Sequence, residues 1–323
     1  MIRVVAPSRL HFGLLNVPCG DIDAGRRFGG CGLMIDAPGV AVRVERSELW
    51  SHEGPSGARA LKFAQQVTDD PQRVVVESCP PEHVGLGVGT SLGLAVARAI
   101  HPELSSIELA QRIGRGDRSG IGIHGFDRGG FIVDGGKRDA EIPLLVGRYE
   151  FPPDWRVAIF IPQSTSPWHG QRERDAFARL RGDRAFERME PLLTREIVPA
   201  LSKCEFERFC RAIHEYNRLA GLPFAEEQGG IYAGTATTAI VDAILGLGFP
   251  GAGQSSWGPT VFAITEDPDQ AEYLAATIRG RFSGLRSADV VKASTTGAVV
   301  MQQNSMHDDA SQSDDEHIRG EHE

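Results

Sequence analysis

Between His83 and Ile100 the stretch HVGLGVGTSLGLAVARAI sets Gly85, Gly87 and Gly89 on alternate positions ahead of Thr90 and Ser91, then runs into an apolar helix. The first turn of a helix has unsatisfied N–H donors and the positive end of a dipole, and glycines let an anionic oxygen approach that backbone. The chemistry implied is phosphate binding. The stretch is not a P-loop, because no lysine precedes the Thr-Ser pair, and it lacks the acidic residue about 20 positions on that a dinucleotide-binding turn carries. A strand-to-helix turn without a ligand is the plain alternative.

A second passage, GAGQSSWGPTVFAI (Gly251 to Ile264), frames Gln254, Ser255, Ser256 and Trp257 with glycines before entering a strand. Two hydroxyls and an indole among small residues suit a second wall of a site; a hairpin connection is the simpler reading. A third region joins APSRLHFGLL, with Ser8, Arg9 and His11, to DIDAGRRFGGCGLMIDAPG, with Arg26 and Arg27. Paired arginines among glycines are placed to hold a dianion or a carboxylate rather than to solvate a helix face. His11 and His124 are candidates for proton transfer or phosphate contact, or else structural histidines of glycine-rich segments.

Elements of both periodicities must position these groups. Alternation predicts strands from the N-terminus, with a polar kink at Ser8 to His11, and again over Gly39 to Trp50 and Arg73 to Cys79. Ser105 with Glu108 forms a capping-box pattern. A glycine-rich passage from Arg118 leads into a strand at Phe131 to Asp134, and a buried strand follows the proline-marked junction PPDWRVAIFIP. Helical stretches are expected from about Gln171 to Leu219 and over Ala236 to Gly248, and the close reads as glycine loop, strand, helix, strand. Two α+β halves meeting near Tyr149 to Trp155 fit this order better than a doubly wound parallel sheet.

Composition narrows the class. The 323 residues are 41% hydrophobic, with no run of about 18 apolar residues and no signal-peptide pattern at the start, so a soluble cytoplasmic protein without membrane contact is expected. The net charge of −9 and the lack of a basic stripe argue against nucleic-acid binding. Five cysteines without CxxC spacing read as packing thiols. From Met301 onward the acidic, aliphatic-poor tail is expected to be disordered.

The order APSRLHFG, GLGVGTSLGLA, GQSSWGPTVFA resembles the three motifs of the GHMP kinase superfamily over nearly all of residues 1 to 300. The resemblance implies an N-terminal α+β domain (1–152) and a C-terminal ferredoxin-like α/β sandwich (153–300), with the site between them and a tail over 301–323. One departure is informative. Where many of these kinases carry a catalytic aspartate, the stretch SGIGIHGFDRGG aligns Gly122, and a glycine neither takes a proton nor orients a hydroxyl. The strings RLHFGLLN, RRFGGCGLMID, RSGIGIHGFDRGGFIVDGG and GQSSWGPTVF together are similar to the β-ribofuranosylaminobenzene 5'-phosphate synthase branch. That branch implies decarboxylating transfer of phosphoribosyl from 5-phosphoribosyl 1-diphosphate to 4-aminobenzoate or 4-hydroxybenzoate, with Mg2+ and a homodimer. Asp21, Asp23 and Asp127, carboxylates near the site loops, are the metal-ligand candidates. An ATP-dependent small-molecule kinase and a non-catalytic phosphometabolite sensor remain as alternatives.

Overall fold

The structure is a computed structural model and describes residues 1–15, 28–163 and 184–302. The chain begins with two long paired strands, β1 (Ile2–Leu14) and β2 (Gly30–Arg46). The polar stretch at Ser8 to His11 does not break β1. Its register against β2 shifts between Ala6 and Ser8 and again between His11 and Gly13, and such bulges re-aim side chains without ending a strand. β3 (Ser51–Glu53), α1 (Gly57–Val67), β4 (Gln72–Ser78) and α2 (Val88–Ile100) follow. Then come α3 (Ser106–Arg112), with both halves of its Ser105–Glu108 capping box formed, and α4 (Ile121–Arg128). The hairpin of β5 (Phe131–Asp134) and β6 (Leu145–Tyr149) closes this half.

The second half holds β7 (Arg156–Pro162), α5 (Arg184–Leu192), α6 (Val198–Ser202), α7 (Phe206–Gly221), α8 (Ala225–Gln228), α9 (Thr235–Gly246), β8 (Gly251–Gln254), β9 (Val261–Thr265), α10 (Pro268–Arg281) and β10 (Leu285–Val291). Its antiparallel sheet has the order β10-β7-β9-β8, the split βαββαβ arrangement of a ferredoxin-like sandwich. The fold is α+β, two sheets with helices. A last strand, β11 (Val299–Gln302), returns to the first sheet and pairs antiparallel with β1. Met301 and Gln302 of the expected tail are thus in a strand, and residues 303–323 lie outside the described residues.

Gly251 to Gln254, expected as part of a loop, is strand β8, and the reason is α7. A Cβ at Gly251 would come 2.7 Å from Cys210 Sγ, and one at Gly253 would come 2.4 Å from Asn217 Oδ1. Those glycines let the helix lie close against the strand.

One apolar core runs through both halves. Phe12, Leu33 and Phe131 of the first sheet pack in a single cluster with Ile159 and Phe262 of the second and Phe209 of α7. Phe209 is fully buried and its ring meets those of Phe131, Phe151 and Trp155 at centroid distances of 6.0, 5.9 and 5.3 Å. Cys31, Cys79, Cys204 and Cys210 are free thiols, and Cys19 lies outside the described residues. Among the described residues no helix is long and apolar enough to cross a membrane. Phe209→Ala removes the shared ring and is expected to cost about 3–5 kcal/mol in urea-induced unfolding, with both halves losing cooperativity together.

Candidate functional site

The three quoted motifs do meet, and they meet by locking into one another. The β1 strand at Arg9 to His11 is flanked by the loop before α2 and by the loop after β8. Arg9 N donates to Leu86 O at 3.1 Å and its guanidinium to Gly85 O at 2.9 Å. Ser256 N donates to His11 O at 2.9 Å, His11 N to Ser255 Oγ at 3.1 Å, and Ser255 Oγ in turn to Gly85 O at 2.8 Å. Thr260 closes the ring by donating both N–H and Oγ1 to Val84 O. Apart from the Arg9 guanidinium, every one of these groups is a backbone atom or a short side chain, which limits the freedom of the ring.

This lock explains the glycines. A Cβ on Gly85 would fall 2.2 Å from Ser255 O, and one on Gly258 would fall 2.1 Å from both Gly85 N and Val84 C. Space beside Gly87 is filled by the Arg9 side chain, 2.7 Å from a notional Cβ, and space beside Gly89 by Arg59 and Arg115. The bare backbone at the start of α2 is therefore approached first by protein and by guanidinium groups. Ser8, Ser91 and Ser255 are buried, and donate to Pro38 O, Pro7 O and Gly85 O respectively. They shape the site from beneath rather than face into it.

A cleft of about 240 Å³ opens above the lock. One wall carries Arg9, Thr90 and the turn Gly114 to Ser119 with Arg115, Asp117 and Arg118; the other carries Phe224, Tyr232, Gln254, Ser256 and Trp257. Trp257 meets Phe224 edge-on at 4.3 Å, forming an aromatic ledge. Gln254 is held on both sides, its amide donating to Ser256 O at 2.8 Å and accepting from Ala233 N at 2.7 Å. Arg115 lies over the Phe63 ring at 5.1 Å, and its buried Nε has no partner among the described residues.

His11 sits at the cleft floor with 4% exposure, and its Nε2 has no hydrogen-bond partner among the described residues. Burial, reinforced by the Arg9 and Arg118 charges, holds the imidazole well below its usual pKa, so it is neutral at physiological pH. Gly122, in the first turn of α4, also faces this region. A Cβ there would stand 3.5 Å from Thr90 Cγ2 and 3.7 Å from Arg9 Cγ, ordinary contact distances. The position that holds a catalytic aspartate in the kinases of the resemblance thus looks onto Arg9 and Thr90.

Two expected site residues lie elsewhere. His124 is on α4 but outside the cleft lining, its Nε2 2.6 Å from Pro143 O, and burial lowers its pKa. Asp127, offered as a metal ligand, lies at the far end of α4 and is engaged by Arg98 at 2.9 Å and by the hydroxyl of Ser106 on α3. Arg26, Arg27, Asp21 and Asp23 lie outside the described residues. The sequence reading passed over Arg115, Asp117 and Arg118. The signal was present in GRGDRSG, two arginines in a glycine-framed turn, the same pattern that drew attention to Arg26 and Arg27.

The chain is 32% identical over 311 residues to a beta-ribofuranosylphenol 5'-phosphate synthase of Methanothermobacter thermautotrophicus, covering 85% of this chain and 92% of that protein. The chain belongs to this family. A second such synthase, from Archaeoglobus fulgidus, is 32% identical over 292 residues, covering 82% of this chain and 88% of its own length. No family model matches the sequence. Among solved structures, homoserine kinase from Cytophaga hutchinsonii superposes with a TM-score of 0.65 at 17% identity, over 93% of this chain and 97% of that one. The scaffold is that of the GHMP kinases, as the motif order implied.

The lock and Gly122 make opposite demands on a methyl group. Gly122→Ala is expected to melt within about 2 °C of wild type, because its Cβ meets only ordinary contacts. Gly258→Ala, which must displace backbone at Val84 and Gly85, is expected to lose about 2–4 kcal/mol by chemical denaturation.

Proposed function

We propose that this chain transfers the phosphoribosyl group of 5-phosphoribosyl 1-diphosphate to 4-aminobenzoate or 4-hydroxybenzoate, with loss of carbon dioxide and diphosphate. The observation that carries this reading is the cleft wall itself: arginines crowd the start of α2, and Gly122 stands where an alcohol kinase needs a carboxylate. Family membership at 32% identity supports it.

The reaction has no need of a base. The ring carbon bearing the carboxylate bonds to ribose C1 as the C–O bond to diphosphate breaks, so positive charge passes into the ring. The bond to the carboxyl carbon then breaks, its electron pair restores the aromatic ring, and carbon dioxide leaves. No proton is removed from the acceptor at any point. What the reaction does require is fixed positive charge for the departing diphosphate and the 5-phosphate, and exact placement of C1 against the ring.

In this reading Arg115, Arg118 and Arg9, with Thr90 at the helix start, take the anionic groups of the donor. The Phe224–Trp257 ledge takes the flat acceptor. Neutral His11 offers its free nitrogen to the acceptor carboxylate without an ion pair, so the group that must leave as carbon dioxide is not held by full charge. Magnesium fits this arrangement as an ion carried mainly by diphosphate, with Asp117 as the carboxylate of the described cleft lining available to it. When bound, the ion neutralises charge on the leaving group.

Carbon dioxide counted from carboxyl-labelled 4-aminobenzoate should depend on the phosphoribosyl donor, and Arg118→Ala should lower kcat/KM for that donor by about 10- to 100-fold. ATP-dependent phosphorylation of a small alcohol without such release would overturn the reading. The neutral state of His11 gives a second expectation. Its folded pKa is depressed, so the folded state binds fewer protons than the unfolded one below the ordinary histidine pKa, and its contribution to stability, full above about pH 6.5, is lost as pH falls. Urea midpoints from about pH 7.5 to about pH 5.5 should fall more steeply in wild type than in His11→Gln.

A further inference from the structure

We infer that Asp134, on β5 and outside the cleft, is a positioning residue that holds the Arg115–Arg118 turn in place for the phosphoribosyl donor. The inference rests on the proposed function for the identity of that donor. Asp134 is fully buried, and its carboxylate reaches out of the sheet to the end of the arginine turn. Oδ2 accepts from Gly120 N at 2.9 Å and from the Ser119 hydroxyl at 3.2 Å, while Oδ1 accepts from Gly136 N at 3.1 Å. Ser119 Oγ in turn accepts from Ile121 N at 3.3 Å, so one carboxylate fixes both the turn and the entry to α4.

The same hairpin ties the segment at two further points. Lys137 Nζ lies 3.4 Å from Gly116 O, between the two arginines in sequence, and the Pro143 carbonyl accepts from His124 on α4. His124, singled out as a chemical group, is in this account a fastener. The β5–β6 hairpin therefore grips the segment from Gly116 to His124 on both sides of Arg118, while making none of the cleft's lining at Asp134 or Lys137.

Burying a carboxylate is costly, and a structure keeps one where its acceptors are used. Burial raises the Asp134 pKa to about 6, against the opposing pull of the Gly120, Gly136 and Ser119 donors. The raised value means that ionising Asp134 costs the fold stability, a loss that develops as pH rises from about 4 through about 6 and is complete above that. The full set of acceptor bonds is nevertheless present only in the ionised form. Cys31 from β2 and Tyr216 from α7 also face this group, and burial holds both in their protonated forms. The ionisable groups on the segments joined by the tie are Asp117 and Arg118 on the turn, Lys137 on the hairpin, and His124 on α4, whose pKa burial lowers.

The test compares wild type with Asp134→Asn and Lys137→Ala. Asp134→Asn, which leaves one oxygen for the Gly120, Ser119 and Gly136 donors, should raise KM for 5-phosphoribosyl 1-diphosphate about tenfold and leave KM for the benzoate within about twofold. Wild-type kcat/KM for the donor should fall below about pH 6, and Asp134→Asn should lack the part of that limb that does not belong to the donor's own phosphate, which titrates in the same range. Lys137→Ala should shift the donor KM in the same direction by about threefold, and it decides the matter if Asp134→Asn does not fold. Equal rises in both KM values, or a donor KM within about twofold of wild type in the folded variants, would overturn the inference. If wild type itself releases no carbon dioxide, the proposed function falls. The inference is then judged by inorganic pyrophosphate binding, which the variants should weaken while hydrogen exchange at residues 114–121 speeds up.

Discussion

The structure depends on a ring of short hydrogen bonds that joins β1 to the loops before α2 and after β8. It brings residues 9–11, 84–86 and 255–260 together across more than two hundred positions of sequence, and its members are backbone groups, two hydroxyls and one guanidinium. Because the loop after β8 belongs to the second sheet and the other two segments to the first, the ring is also the hinge point at which the halves are fixed. The common apolar core around Phe209 and Phe262 supplies the burial energy for that union, but the hydrogen bonds supply its register. The cleft is a consequence of the ring. Its floor is the ring's upper surface, with His11 and Ser256 presented from it.

A glycine-rich loop at a helix start reads in sequence as backbone left bare for a phosphate. Here the bare backbone is spent on protein: Gly85 against Ser255 and Gly258, Gly87 against Arg9, Gly89 against Arg59 and Arg115. At Gly87 and Gly89 the side chains that occupy those spaces are arginines. Positive charge at the start of α2 is then supplied by arginine side chains added to the helix dipole rather than by open N–H groups alone. Sequence shows where the chain can approach closely; it does not show what approaches.

That distinction separates what was legible from what was not. The strands expected over Arg73 to Cys79 and Phe131 to Asp134, α2 and the Ser105–Glu108 cap follow from periodicity and capping chemistry, which are local signals, while the ferredoxin-like second half came only with the family resemblance. The loop expected at Gly251 was strand because α7 needed room, and the kink expected at Ser8 was a pair of bulges because β2 continued alongside. Both outcomes are set by a partner distant in the chain. His124 and Asp127 carried the right chemistry but faced Pro143 and Arg98, and a single helix turn separates such outcomes. Arg115 and Arg118 carried no periodic pattern at all, and only the fold brings their turn beside β1.

The kinase scaffold and the synthase reaction are reconciled by what each demands of one position. Transfer of a phosphoryl group to an alcohol must dispose of the alcohol's proton, and a carboxylate beside the phosphate site does so. A benzoate that loses carbon dioxide has no such proton, and its own carboxylate brings a negative charge to the same place. An aspartate at position 122 would stand in contact range of Arg9 and Thr90, where under the proposed function it would repel the acceptor and neutralise a guanidinium of the donor site. A glycine there leaves the cationic wall undiluted and the volume free. His11 at the cleft floor, kept neutral by burial and by the Arg9 and Arg118 charges, leaves the positive charge of that floor to the arginines alone.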